Sequence, residues 1–402
     1  MRRTACGGCG SDSIVQILDL GDSPLADDFP TTPDPGQRRW PLGLFRCRVC
    51  TLVQLTELVP DADLWGGDYG FYTGSSWVAA EHQRLYAQQL LANFGDLARR
   101  LTVEIACNDG TLLKHLQAAG CETLGVDPAA GPAAMAAEAG LDVLVRSFGR
   151  DTAFDILADH EPAGLIVANN VIAHVADLAD FVAGIELLLA DDGVAVVEFQ
   201  YLADLVTGNQ FDHVYHEHRQ FFTLTSLDRI LAERDLMALS VEQVNPQGGS
   251  LRVTIGRDGP ADGTVPALLR AERWLADPHA LDGLQGRAER IRARLVDMLQ
   301  AQKQAGKRVA GYGASAKATT LLNFCGIGPD LIQYMVDTTP TKHGRYVPGT
   351  GIPIVSPTAD SRQPDTYVLT VWNYLPDVMR REALFAQQGG RWIVPIPTPV
   401  LL

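Results

Sequence analysis

The chain has 402 residues, 46% hydrophobic and 20% charged, enough for two or three domains with real apolar cores. Its 48 acidic residues against 33 basic ones leave a net charge of -15. That excess argues against a general binder of nucleic acid or anionic membrane, since both attract basic patches. An anionic small molecule stays open, because a few local cations or backbone N–H groups can hold one. No stretch approaches the ~20 apolar residues of a membrane span. The start, Met1 to Cys6, has two arginines but no apolar run behind them, so no signal peptide is expected and a cytoplasmic location is.

Seven cysteines, few and odd in number, speak against a disulfide framework. Four fall into two pairs, Cys6-Gly7-Gly8-Cys9 and Cys47-Arg48-Val49-Cys50. Two residues between thiolates let both sulfurs face one ion, and two such knuckles close a tetrahedral zinc site. Thioredoxin-like redox chemistry or chance pairing is the alternative, but redox motifs come singly and follow a strand. The long segment between the pairs predicts a small irregular lobe whose zinc supports folding rather than catalysis. Cys107, Cys121 and Cys325 stand in apolar contexts that suit packing.

From Leu101 the pattern changes to alternating strands and helices. Strands are expected at Leu101–Cys107, up to Asp127, near Asp142–Arg146, at Gly164–Asn169 and at Val194–Tyr201. Such alternation predicts a parallel sheet covered on both faces, with ligand at the carboxyl ends of the strands. The first strand end, Cys107-Asn108-Asp109-Gly110, lacks GxGxxG. Asp127, ending the second strand, can accept hydrogen bonds from ribose hydroxyls. The combination suits S-adenosylmethionine better than a dinucleotide. Glu104 and Asp109 could meet the cationic methionine end, and Asn169 or Asn170 the adenosine or methionine part. Each residue alone could be only a loop cap.

The most unusual polar cluster runs from Asp212 to His218 and holds three of the nine histidines. HExxH spacing is absent, and His216 and His218 alternate as on a strand or tight turn. Acid–base catalysis by His218 or His216, partnered by Glu217 or Tyr215, is the functional reading. A hydrogen-bonded structural cluster is the alternative. Gly248-Gly249 permits a tight turn before Arg252, which pairs with an anion or caps a sheet. A helix is expected from Leu281 to Lys303. Towards the end, Lys307 to Lys317 reads as strand, glycine turn (Gly311, Gly313) and helix start, an arrangement that favours phosphate, with Lys317 as mobile charge. Further strands at Leu331–Asp337, Thr366–Tyr374 and Trp392–Ile396 imply a second α/β lobe, with Lys342, His343 and Arg345 forming a basic loop.

Taken in order, the paired knuckles, Glu104 to Leu113, Tyr215 to His218, Gly248 to Arg252 and Gly311 to Lys317 resemble the deoxysugar C-methyltransferase family of antibiotic biosynthesis. That family includes the tetronitrose and mycarose pathway enzymes, and the similarity spans essentially the whole chain. The resemblance implies a class I methyltransferase with a Rossmann-like α/β sheet between two other lobes. A zinc-binding lobe (1–66) would precede the S-adenosylmethionine domain (67–205). A catalytic insertion with a linking helix (206–300) and a C-terminal nucleotide-sugar domain (301–402), again Rossmann-like, would follow. The implied enzyme is a monomer that methylates the carbon next to the ketone of a dTDP-4-keto-deoxysugar, C3 being favoured. His218 would be the base, with Tyr215 and Glu217 supporting it and His216 on the ketone side. Tyr72 resembles a substrate-facing tyrosine, with Tyr69 and Phe71 as the alternatives for that place. The substrate diphosphate would lie at Gly313, Ser315 and Lys317, with Lys342, Arg345 and Arg252 as further substrate contacts. Three positions depart from the pattern: Ala106 for a glycine, Gln247 for a histidine and Asp127 for a longer glutamate. The rival readings are a methyltransferase with another acceptor and a noncatalytic zinc-anchored binding module.

Overall fold

A computed structural model describes residues 1–65, 72–75, 77–245, 248–358 and 363–402. Tyr69, Phe71 and Gln247 lie outside the described residues. Three sheets organise the chain. The first is antiparallel, with β1 (Ile14–Ser23), β2 (Trp40–Cys47) and β3 (Val53–Leu55) in order. The N-terminal lobe is therefore an ordered sheet, not the irregular lobe its sequence suggests.

The second sheet has seven strands. Its parallel part comprises β4 (Leu101–Ile105), β5 (Glu122–Val126), β6 (Val143–Leu144), β7 (Ala163–Asn169) and β8 (Leu189–Gln200). The first sheet gains its fourth strand, β9 (Gln220–Phe221), from the histidine-rich segment, which pairs with β3. Two antiparallel strands, β10 (Met237–Val244) and β11 (Ser250–Gly256), then complete the second sheet. The region expected as insertion and linker thus supplies strands to both sheets. In the second sheet the order is β10-β11-β8-β7-β4-β5-β6. The strand order reverses between β4 and β7, which opens the crevice where such sheets take their ligand. β4 and β7 are buried along almost their whole length, as a sheet covered on both faces requires.

The third sheet is built from β12 (Val309–Tyr312), β13 (Met335–Val336), β14 (Ile354–Val355), β15 (Thr366–Leu369), β16 (Arg391–Val394) and β17 (Val400–Leu401). Its order, β14-β13-β12-β15-β16-β17, places a second crevice between β12 and β15. The linking helix runs Leu284–Gln304, close to its expected span. Among the described residues no helix is long and apolar enough to cross a membrane.

Arg252 is spoken for by the fold. Lying opposite Glu198 across β11 and β8, it forms a buried ion pair with it at 2.8 Å. The guanidinium also donates to Gln89 and Glu242 and stacks 4.0 Å above the Tyr86 ring. The expectation that Arg252 faces substrate is corrected accordingly: its donors are turned onto the sheet and the helix Trp77–Ala98. Removing one member of a buried pair leaves an uncompensated charge. Arg252→Met should lower stability in urea unfolding by about 3–5 kcal/mol, and the Arg252→Met/Glu198→Gln double variant should recover part of that loss.

Candidate functional site

Folding of the N-terminal sheet brings the two cysteine knuckles together. The four sulfurs of Cys6, Cys9, Cys47 and Cys50 lie within 4.8 Å of one another. Cys6 and Cys50 are 3.4 Å apart, and Cys9 and Cys47 are 3.6 Å apart. A tetrahedral zinc with Zn–S bonds of about 2.3 Å needs sulfurs roughly 3.8 Å apart. Backbone N–H groups of the knuckles donate to sulfur, Gly8 to Cys6 at 3.3 Å and Val49 to Cys47 at 3.4 Å. Those donors favour the thiolate form that a metal takes. The donor set fits zinc, and four protein ligands complete its tetrahedron.

At the carboxyl end of β4 the backbone turns sharply. Ala106, Asn108 and Gly110 all have positive φ, at 59°, 52° and 71°. Ala106 thus stands at a position where glycine would be free of strain. Gly110 is required twice over, since a Cβ there would also sit 2.2 Å from Leu141. The Asp127 carboxylate accepts the N–H of Asn108 at 2.8 Å and of Ala129 at 2.7 Å, fixing this loop against the end of β5. Asp109 is also engaged, by Gly74 N–H at 2.7 Å and by the Thr111 hydroxyl. Asn108 accepts the Thr73 N–H at 2.9 Å. The short turn Thr73–Ser75 therefore covers the crevice, and it carries Tyr72 towards the helix Ala130–Glu138. A Cβ on Gly131 would lie 2.9 Å from the Tyr72 hydroxyl.

Glu104 is the group that calls for a ligand. It is 5% exposed, and burial, with Asp127 and Asp109 nearby, raises its carboxyl pKa well above the usual range. Its Oε2 has no hydrogen-bond partner among the described residues. A buried carboxyl among two more carboxylates fits the cationic end of S-adenosylmethionine. Asn169 ends β7 beside it, and Asn170, at φ 54°, donates its N–H to the Glu198 carbonyl. Cys107 is placed differently: its sulfur packs under Gly125 in a small core with Leu113, Ala136 and Leu141, so its backbone alone faces the crevice loop.

The histidine-rich segment adopts the tight turn its alternation suggested, with His218 N–H bonded to the Tyr215 carbonyl at 3.0 Å. His218 Nδ1 lies 2.9 Å from the His213 carbonyl. A carbonyl only accepts, so Nδ1 carries the proton and Nε2 of the neutral ring is the acceptor. Tyr215 donates its hydroxyl to that Nε2 at 2.8 Å. Burial lowers the His218 pKa to about 4, partly offset by the His213 carbonyl, which keeps the ring neutral. His174, a lone histidine that no sequence pattern marks, meets His218 edge-on at 5.1 Å. It comes from the loop after β7, whose Ala173 carbonyl accepts Arg219 N–H at 2.7 Å. This loop ties the turn to the cofactor end of the second sheet.

Other expected contacts fall elsewhere. His216 is 1% exposed and lies against the backbone of Trp40 and Pro41 on β2. Glu217 stays half-buried, and burial, with Asp27 nearby, raises its pKa well above the usual range. Lys317 is not mobile: 7% exposed, it donates to Asn373 Oδ1. Lys342 donates to the Ala314 carbonyl at 2.8 Å, and Arg345 to the Phe29 carbonyl at 3.0 Å, so both brace loops. Gly313 has φ 95°, and a Cβ there would sit 2.5 Å from Val371. Ser315 caps the helix Ala316–Cys325. At the turn before it, Asp337 already accepts the Ala314 N–H at 2.7 Å.

Comparison with known proteins extends this picture. A family model described as "Methyltransferase domain" matches residues 79–241, and one described as "C-methyltransferase C-terminal domain" matches 245–397. A third, "Putative zinc binding domain", matches 6–65, around the four thiols. Solved structures give only distant matches. Magnesium protoporphyrin IX methyltransferase from Synechocystis PCC 6803, with bound S-adenosylmethionine, is 14% identical over 45% of this chain and 82% of its own, at a TM-score of 0.34. The PH0226 protein from Pyrococcus horikoshii OT3 is also 14% identical, over 46% and 95%, at a TM-score of 0.38. The sheet order, the acidic crevice and the C-terminal domain together define a zinc-containing, S-adenosylmethionine-dependent C-methyltransferase. The kinship is closer still over the full length, where C-methyltransferase NovU from Streptomyces niveus is 34% identical across 98% of this chain and 96% of its own. The chain belongs to that C-methyltransferase family.

The zinc site generates its own test. Metal analysis of the purified protein should return one zinc per chain. Cys47→Ser should lose the metal and lower the thermal midpoint, because binding free energy at such a site is folding free energy.

Proposed function

We propose that the chain methylates the carbon α to the ketone of a dTDP-4-keto-deoxysugar, at C3, in the biosynthesis of an antibiotic sugar. The observation that carries this reading is the Tyr215–His218 pair at the rim of the cofactor crevice. A ketone acidifies the neighbouring C–H, and a neutral imidazole with its lone pair on Nε2 is the group that can take that proton. Tyr215 holds Nε2 in the resting protein, so a substrate C–H must displace its hydroxyl. The freed hydroxyl can then donate to the enolate oxygen and stabilise the charge that develops there. A pKa near 4 describes the resting site; negative charge on the enolate beside the ring raises it as the proton moves. Glu104, Asp127 and the loop Ala106 to Gly110 would hold S-adenosylmethionine, which would supply the methyl group.

The C-terminal domain supports a nucleotide-linked substrate. Its crevice between β12 and β15 carries a glycine turn and a helix start at Ser315, where a diphosphate can meet backbone N–H groups. Asp337, ending β13, stands where such sheets keep an acceptor for a sugar hydroxyl. Because it occupies the Ala314 N–H, we place the phosphates towards the backbone N–H groups at Ser315 and the helix start that follows. The similarity to NovU, itself a C-methyltransferase, favours carbon over oxygen or nitrogen as the acceptor.

Incubation with a dTDP-4-keto-6-deoxysugar should add one methyl group by mass spectrometry. In deuterated water His218→Ala should lose both methylation and exchange at the α-carbon, and Tyr215→Phe should slow turnover about 10²-fold. Undiminished turnover of His218→Ala would remove it as the base. The base works only when unprotonated, so lowering its pKa moves the acid limb of kcat/KM down. That limb is expected near pH 4 for the free enzyme, not in the ordinary histidine range.

A further inference from the structure

A cluster of buried polar groups joins the C-terminal crevice to the histidine turn. Asp212 and His213, on the short turn Phe211–His213, are both fully buried. The indole Nε1–H of Trp372 donates to Asp212 Oδ2 at 2.7 Å. Trp372 also packs edge-on against the His213 ring at 5.8 Å, and that ring lies parallel to His218 at 6.4 Å. Lys317 holds Asn373 and sits 5.3 Å from the Trp372 ring. Trp372 and Asn373 follow β15, while Lys317 follows β12. All three therefore stand at the second crevice. The two loops are locked together where Thr370 donates its hydroxyl to the Tyr312 carbonyl at 2.8 Å.

Stability alone does not account for this cluster. Burial brings the Lys317 pKa down to about 8 and raises that of Asp212 to about 6, each opposed by the other's charge. Apolar side chains of similar volume would pack as well without that desolvation cost. What the arrangement does fix is position. The residue after Asp212 presents the carbonyl that takes the Nδ1 proton of His218.

We propose that Trp372 and Asp212 are positioning residues: their hydrogen bond fixes the His213 carbonyl, and through it the tautomer and aim of His218. The inference rests on His218 as the base for its consequence in turnover, but its structural claim stands apart from that reading. That hydrogen bond joins Trp372, at the second crevice, to Asp212, on the turn that leads to His218.

The test uses the full-length zinc-loaded protein with ¹⁵N-labelled histidine. Long-range ¹H–¹⁵N spectra, assigned with His218→Ala, should show His218 protonated at Nδ1 alone. In Trp372→Phe, which keeps an aromatic ring and loses the donor, the spectrum should show a mixture of both tautomers. The kcat should fall about 10- to 100-fold, with KM for S-adenosylmethionine and sugar within about twofold. Where Trp372→Phe does not fold, Asp212→Ala against Asp212→Asn makes the same comparison. Asparagine keeps an acceptor for the indole and should keep the tautomer, whereas alanine should lose it. A wild-type tautomer in both Trp372→Phe and Asp212→Ala overturns the proposal, whatever the turnover. An active His218→Ala would instead overturn the base assignment and leave the tautomer result to decide this one.

Discussion

A buried imidazole can act as a base only when something decides which of its nitrogens carries the proton. In this chain the decision is made by one hydrogen bond, from His218 Nδ1 to the His213 carbonyl, and much of the surrounding structure holds that carbonyl and ring in register. Gln220, two residues on, donates to the Ile172 and Val175 carbonyls in the loop after β7. Phe221 pairs with Val53 in the N-terminal sheet, and the Val214 carbonyl accepts the Thr320 hydroxyl of the C-terminal lobe at 2.9 Å. One short stretch is thus fastened to three sheets at once. The zinc lobe gains a structural purpose from this. It supplies the strand edge against which the end of the catalytic turn is paired.

Electrostatics divides the molecule in a way that the net charge of -15 conceals. The first crevice gathers Glu104, Asp109 and Asp127, and their mutual repulsion helps raise the Glu104 pKa. Such a site is costly when empty and relieved by a cation. On the proposed reading, loss of the sulfonium charge after methyl transfer would remove part of that relief, so the carboxylates that favour the charged donor would also favour release of its product. In the second crevice the lysines are committed to protein partners, Lys317 to Asn373 and Lys342 to a carbonyl. For the proposed substrate, recognition of its anion there would fall to backbone N–H groups at a helix start, which need no surplus of basic residues. An acidic chain and an anionic substrate are compatible on those terms.

What the sequence disclosed were features whose chemistry is local. Paired cysteines two residues apart, a buried run ending in Asn108-Asp109-Gly110, and a Tyr-His-Glu-His turn each announce themselves within a few positions. Partnership across the sheets stayed hidden. Nothing near Arg252 marks Glu198, 54 residues earlier, as its counter-ion; only the β8–β11 register brings them opposite. β9 is two residues long and shows no alternation, so the fourth strand that orders the N-terminal lobe could not be foreseen. His216 and His218 look equivalent as a pair, yet one faces the backbone of β2 and the other Tyr215. Trp372 carries no motif at all, and its role rests on a contact 160 residues away.

The placement of the base between two crevices, and within neither, has a consequence for the order of events. A proton must leave carbon before that carbon can accept a methyl group, and both steps need the acceptor fixed relative to donor and base. The turn Thr73–Ser75, with Tyr72 just before it, is bonded to Asn108 and Asp109 at the first crevice. The second crevice reaches the base through Trp372 and Asp212. Each crevice therefore adjoins an element that also touches the surroundings of His218, whose neutral form is favoured chiefly by burial and further by the charge of Lys317. A histidine exposed to water between lobes would titrate near neutrality and share its proton with solvent. Stitching the turn into three sheets is what keeps this one dry.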